Sequence, residues 1–236
     1  MSRIGASILA LGMVAGLGIA GWLLSDALIT FKTWDRVVTV KGLSEREYLA
    51  DQVIWPIQFV EAGNELPALY DELDTHAGKV KQFLTQAGIR EDEISVGQPQ
   101  ITDKLAQQYG GGPRAEFRYS AIQTVTVYSS DVNNVREVMS SIGSLLKDGI
   151  VLSTQNYNAQ TQYVFTRLND VKPEMIEEAT VNAREVALKF ASDSQSQLGK
   201  IRRANQGRFS ISDRDTHHPH IKKIRVVSTI EYTLVD

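Results

Sequence analysis

Residues 173–199 read PEMIEEATVNAREVALKFASDSQSQLG, and this stretch decides the fold class. Pro173 suits the first turn of a helix, where its missing N–H leaves nothing unsatisfied. Ile176, Ala179, Ala183, Val186, Ala187, Phe190, Ala191 and Leu198 then recur at intervals that keep one helical face apolar as far as Gly199. Alanines 179, 183, 187 and 191 form a thin stripe, suited to close packing of that helix on a sheet. Glu185 and Lys189 make an outward i,i+4 pair.

The sheet is visible on either side of this helix. Ile224, Val226, Ile230, Tyr232 and Leu234 alternate with Arg225, Thr229, Glu231 and Thr233, the pattern of a half-buried strand in an antiparallel sheet. Two strands are expected to finish the chain. Upstream, Arg36–Val40 reads as a short strand ended by Gly42. Residues 50–61 follow as a second, with Val53, Trp55, Ile57 and Phe59 on one face. Leu66, Leu69, Tyr70, Leu73, Ala77, Val80 and Leu84 give residues 65–87 one apolar helical stripe, with Gly88 placed to stop it. Residues 93–105 return to a strand pattern, Tyr109–Pro113 is a glycine-rich turn, and 115–129 is a long strand. A helix at 131–147 follows, with Val135, Val138, Met139, Ile142, Leu145 and Leu146 inward. Further strands pass through Ile150 and Leu152 and over 159–169. The body is therefore α+β, with about three helices covering mixed, largely antiparallel sheets. It fills residues 34–236 as one domain or as two lobes of about 34–150 and 151–236.

The totals exclude several classes. The chain has 236 residues, 42% of them hydrophobic and 22% charged, which is ordinary globular usage. A net charge of -3 gives no overall attraction to nucleic acid. There is no cysteine, which removes disulfides, thiol nucleophiles and thiolate metal sites together.

Ile4 to Leu24 carries no charged residue and is mostly Ile, Leu, Ala, Gly and Val. At about 1.5 Å per residue it would form a helix of about 31 Å, matching the ~30 Å hydrocarbon layer of a bilayer. Trp22 and Trp34 lie near its outer end, and Asp26 closes the run. A single transmembrane anchor over residues 1–33 is expected. Ser25-Asp26-Ala27 offers the competing reading of a cleaved signal peptide. Gly12, Gly16 and Ala20 share one helix face, where small side chains let two helices approach closely, although Gly and Ala are also simply common in membrane helices.

Val38–Gly42, Gly88–Ile89 with Glu93–Ile94, Tyr119–Val127 and Ala179–Gly199 together resemble four segments of the SIMPL domain family, which is found largely in bacterial envelopes. Val38-Thr-Val-Lys-Gly42 is similar to its opening strand. Gly88-Ile89 with Glu93-Ile94 resembles the segment after its first helix. Tyr119, Ala121 and Gln123 before Val125-Thr-Val127 fit its central strand. Ala179, Asn182-Ala-Arg184, Ala187, Ala191 and Leu198-Gly199 fit its long helix. The resemblance covers about residues 36–235. It implies an α+β domain, and homo-oligomers that are ring-like or channel-like in some members. It also implies a loose association with oxidative or envelope stress. No catalytic residues are established for the family, so none carry over, and a retained membrane helix departs from the cleaved signal peptide of many members.

Candidate chemistry is sparse. His217, His218 and His220 beside Asp213 and Asp215 have the residue types of a divalent-metal site, but read more simply as an exposed loop shaped by Pro219. His76 is expected to face solvent on its helix. Gly110–Gly112 lacks the Gly-Lys-Ser/Thr lead into a helix that a phosphate loop requires. Lys200, Arg202, Arg203, Arg208, Arg214, Lys222, Lys223 and Arg225 crowd the terminal hairpin. Some of these cations must share a face, which reads most simply as solvated but could meet an acidic subunit surface, anionic lipid headgroups or a polyanion.

The reading that results is a non-enzymatic protein of the bacterial inner membrane. It crosses once through residues 4–24, carries its C-terminal body in the periplasm and assembles with copies of itself. Gly12, Gly16, Ala20, Arg202, Arg203, Arg208, Lys222, Lys223 and Arg225 are its candidate contacts. No cofactor and no nucleic acid partner are expected. An adaptor that recruits a protein partner and a metal-dependent enzyme are the rival classes.

Overall fold

Alternating burial along residues 52–63 sets the larger of two sheets. A computed structural model describes residues 12–25, 36–106, 116–153 and 160–235. Its elements are helix α1 (12–25), strands β1 (Val37–Leu49) and β2 (Gln52–Gly63), helix α2 (Leu66–Gln86), and a single 3-10 turn at Glu91–Glu93. Strands β3 (Ile94–Val96), β4 (Gln100–Asp103) and β5 (Tyr119–Ser129) follow, then helices α3 (Val132–Ser141) and α4 (Gly143–Lys147). Strand β6 (Gln162–Val164), helix α5 (Leu168–Asp193) and strands β7 (Gln197–Gln206), β8 (Ser210–Asp213) and β9 (Ile221–Val235) complete it. Mixed α+β architecture is as the sequence patterns imply.

Among these residues no helix is long and apolar enough to cross a membrane. At about 1.5 Å per residue the described part of α1 spans about 21 Å, less than the ~30 Å layer. The expected transmembrane helix is therefore not found as such. Residues 4–11 of that span, like Trp34 and the Gly110–Gly112 turn, lie outside the described residues.

The chain divides into two compact units drawn from interleaved segments. The first comprises residues up to Arg46, Asn169–Ser210 and Ile224–Asp236; the second comprises Glu47–Leu168 and Ile211–Lys223.

In the second unit the sheet order is β3-β5-β2-β6, with β4 also on β5. Strands β2 and β5 pair antiparallel over their whole length, from Val53 opposite Ser129 to Gly63 opposite Tyr119. Odd-numbered residues of both strands point to one face, so Val53, Trp55, Ile57, Phe59, Ala121, Val125 and Val127 bury together under Leu69, Leu73, Val80 and Leu84 of α2. Leu66 and Tyr70, expected in that stripe, are exposed at its edge.

Three departures have local causes. The expected strand 93–105 is interrupted between β3 and β4, at Gly97 to Pro99, where proline has no N–H for the ladder. The side-chain amide of Gln123 bridges the gap by donating to the Gly97 carbonyl at 2.9 Å. The expected helix 131–147 breaks at Ile142. There the Ser140 and Ser141 hydroxyls donate to the Glu137 and Val138 carbonyls, and Gly143 follows. The break turns Leu146 outward. Between Ile150 and Leu152 the expected strand shrinks to one bridge, Leu152 opposite Phe59.

Two helix ends in this unit follow one rule. Gly88 and Gly149 take positive φ, while the N–H groups of Ile89 and Ile150 reach back to the carbonyls of Leu84 and Leu145. Each isoleucine buries beside the leucine whose carbonyl it caps.

In the first unit β1, β9 and β7 lie side by side in that order. Val40, Ile230 and Tyr232 bury against Ala183 and Ala187 of α5. Contact here is closest at Gly42. A Cβ on that residue would overlap the carbonyl oxygen of Ala179 and stand 2.5 Å from the amide nitrogen of Ala183. Asn182 seals the contact, its side-chain amide donating to the Leu43 carbonyl at 2.8 Å.

Helix α5 differs from expectation at both ends. It begins at Leu168, so Pro173 lies inside it. It stops at Asp193, and Leu198 and Gly199 belong to β7. Gln195 takes positive φ while the Ser196 N–H reaches the Ala191 carbonyl at 2.9 Å. Gln195 thus does the work expected of Gly199. Only Met175 and the four alanines are buried on this helix; Val186 and Phe190 are exposed.

Substitution Gly42→Ala is expected to destabilise the protein by about 1–3 kcal/mol, as over-packing does. Gly78→Ala, on an open face of α2 where a Cβ meets nothing, is expected to stabilise by about 0.5–1 kcal/mol. Paired denaturant titrations check the contrast. Equal effects at the two glycines would contradict the close approach at Gly42.

Candidate functional site

Strand periodicity carries buried positions of β9 back into the turn that precedes it. Lys222, Ile224, Val226, Ser228, Ile230 and Tyr232 are buried at alternate positions, and His220 continues the series. His220 is thus only 7% exposed, not part of an exposed loop, whereas His217 and His218 are exposed as expected.

Asp215 organises the turn. Its carboxylate accepts from the His217 N–H at 2.8 Å, the His218 N–H at 2.9 Å and the Arg214 Nε at 2.9 Å, and lies 2.9 Å from the His218 ring. The Arg214 guanidinium, then His218, hold its carboxyl far below the usual carboxylate range. Arg214 also reaches Glu47 at 3.8 Å. The His220 carbonyl accepts from the Ala50 N–H at 2.8 Å, which fastens the turn to the segment joining β1 and β2.

Around the His220 ring stand the Tyr163 ring, 6.0 Å away edge-on, and the His218 ring at 5.9 Å. Arg136 of α3 hydrogen-bonds the Tyr163 side chain, whose hydroxyl also lies 3.7 Å from the Met139 sulfur. Burial pushes the Tyr163 hydroxyl upward, with Arg136 opposing. Burial lowers His220 from its ordinary value, and Arg136, His218 and Arg214 lower it further against a small opposing pull from Asp215. Burial and positive neighbours both disfavour the imidazolium.

Among the described residues no three His, Cys, Asp or Glu side chains converge as a metal set. His218 has its Nδ1 committed to Asp215, and His220 lies in the buried strand register.

The basic hairpin is largely neutralised. Lys222 is buried and paired with Asp213, Arg202 meets Glu231 at 3.3 Å, and Arg225 approaches Glu45 at 3.9 Å. Lys222 and Lys223 point to opposite faces of β9, so the cations do not form one patch. Arg203 and Arg208 are exposed, on β7 and in the link to β8. Gly12, Gly16 and Ala20 lie on α1, all exposed.

His76 does not face solvent. Its Nδ1 lies 2.5 Å from the Glu61 carboxylate, with the two side chains 12% and 14% exposed, and its ring meets Phe59 edge-on at 6.4 Å. Glu61 continues the core-facing series of β2, so each polar group satisfies the other at the rim of the core.

A family model described as SIMPL, a protein of unknown function (DUF541), matches residues 38–223. The chain belongs to the SIMPL family. No curated protein matches it. The match takes in β1, α5 and the 214–220 turn of this SIMPL chain, and the family's description assigns no role to any residue in them.

His220 has a signed effect on stability. Its folded value lies below the unfolded one of about 6.5, so the unfolded chain binds the proton more readily. Its contribution to stability is full above that value and is lost as pH falls toward the folded one. Thermal unfolding of the natural protein is expected to drop more steeply between about pH 7 and 5 than that of His220→Gln. Parallel profiles would contradict a neutral, buried imidazole.

Proposed function

We propose that this SIMPL protein is an envelope component of the bacterial inner membrane. In this reading its N-terminal apolar segment holds it in the bilayer, its C-terminal body lies in the periplasm, and it works by assembly with copies of itself, not by catalysis. One observation carries the tether. Helix α1 is apolar all round, and Met13, Val14, Leu17, Ile19, Trp22, Leu23 and Leu24 are all exposed on it. A helix that is apolar on every side needs an apolar environment on every side.

Assembly rests on fewer features. Val181, Val186, Leu188 and Phe190 of α5 are large, apolar and exposed. Gly12, Gly16 and Ala20 would allow close helix contact in the membrane. A role in oxidative or envelope stress is carried only by the resemblance to other family members.

Fractionation of cells expressing the full chain, followed by mass measurement in mild detergent, tests both parts. The expected result is recovery with membranes and a particle mass of several times 26.2 kDa. Removing residues 1–33 is expected to release the body from membranes. A freely soluble full chain of single-chain mass would overturn the proposal.

A further inference from the structure

Three strong hydrogen-bond donors converge in the second unit without strong acceptors. Arg136 offers five N–H donors, and among the described residues its one hydrogen-bond partner is Tyr163. The Tyr163 hydroxyl has only the Met139 thioether as acceptor, at 3.7 Å, and thioether sulfur accepts weakly. His220 is more than nine-tenths buried, yet neither ring nitrogen has a hydrogen-bond partner among the described residues.

We propose that Arg136, Tyr163 and His220 form a binding site for an oxyanion, a carboxylate or phosphate group, supplied by α3, β6 and the turn before β9. A planar guanidinium fork matches two oxygens of such a group, and a phenolic O–H and an imidazole N–H supply the remaining donors. The surrounding charge favours it. Arg136, Arg214 and His218 all act on the His220 ring as positive neighbours, and Asp215 alone opposes them. The Asp215 oxygens are already engaged by Arg214, His217 and His218. Glu47, the other nearby carboxylate, faces Arg214. Lys222 is held by Asp213. An arriving oxyanion therefore meets uncommitted donors instead of a carboxylate in need of a partner.

Binding and protonation are linked at such a site. An anion against the ring stabilises the imidazolium, so affinity rises as His220 takes up its proton and the His220 titration moves upward when the site fills. The site is independent of how the chain is tethered or assembled.

The test is an NMR titration of the histidine ring protons of the full chain in chloride, acetate and inorganic phosphate, with the His220 signal assigned by its loss in His220→Gln. The expected result is a midpoint raised by about one pH unit at saturating acetate or phosphate relative to chloride. The anion that acts identifies carboxylate or phosphate chemistry. Arg136→Gln, on an exposed helix face, and Tyr163→Phe, which keeps the ring packed on His220, are each expected to reduce the shift several-fold. One midpoint in all three salts would overturn the site. So would an undiminished shift in both variants, which would mark general screening.

Discussion

The backbone of α5 lies on the backbone of β1 with no side chain of Gly42 between them, and the first unit depends on that approach. Gly42 admits the Ala179 carbonyl, and Ala183 and Ala187 let Val40, Ile230 and Tyr232 close over the same seam. Any larger residue at these positions would lift the helix from the sheet. Ser44 and Arg46 continue along the same face of β1 to Glu178, at 2.9 and 2.8 Å, so polar contacts lie beyond the apolar seam. Small residues set the distance, and the ion pairs, partly exposed, add little beyond orientation.

This geometry explains why large apolar side chains on α5 are left outside. Where the buried stripe is alanine alone, from Ala179 to Ala191, Val186 and Phe190 fall on its flanks and stay exposed. The second unit is built oppositely, with Phe59, Leu73, Leu84 and Ile150 filling a broad core. Its polar features sit at the rim of that core. Glu61 and His76 neutralise each other's cost of burial, whereas Arg136, Tyr163 and His220 leave donors to spare. Polar groups that satisfy one another are structural; those with unspent capacity are where a ligand can act.

Much of this was legible along the chain. Alternation gave β2, β5 and β9, and the alanine period gave α5 and its close seat on a sheet. Element ends were legible only where glycine carries the positive φ, as at Gly88. Gln195 and the Ser140-Ser141-Ile142-Gly143 break hide because their residues signal weakly and neighbouring carbonyls decide the outcome. Of the site, His220 was readable in principle, since counting back by twos from Ile224 puts it on the buried face. Arg136 and Tyr163 were not, because three segments distant in sequence bring the donors together and no local motif joins them. The interleaving of the two units is equally non-local. It follows from which segments pair, and a composition profile does not contain that.

The seam between α5 and the sheet is tested most directly by native-state hydrogen exchange across a series of low denaturant concentrations. If small-residue contact holds helix and strands as one body, amides from Ala179 to Ala191 open together with those of Ile230 and Tyr232, with one denaturant dependence. Exchange of the α5 amides by local opening, while the β9 amides remain protected, would contradict it.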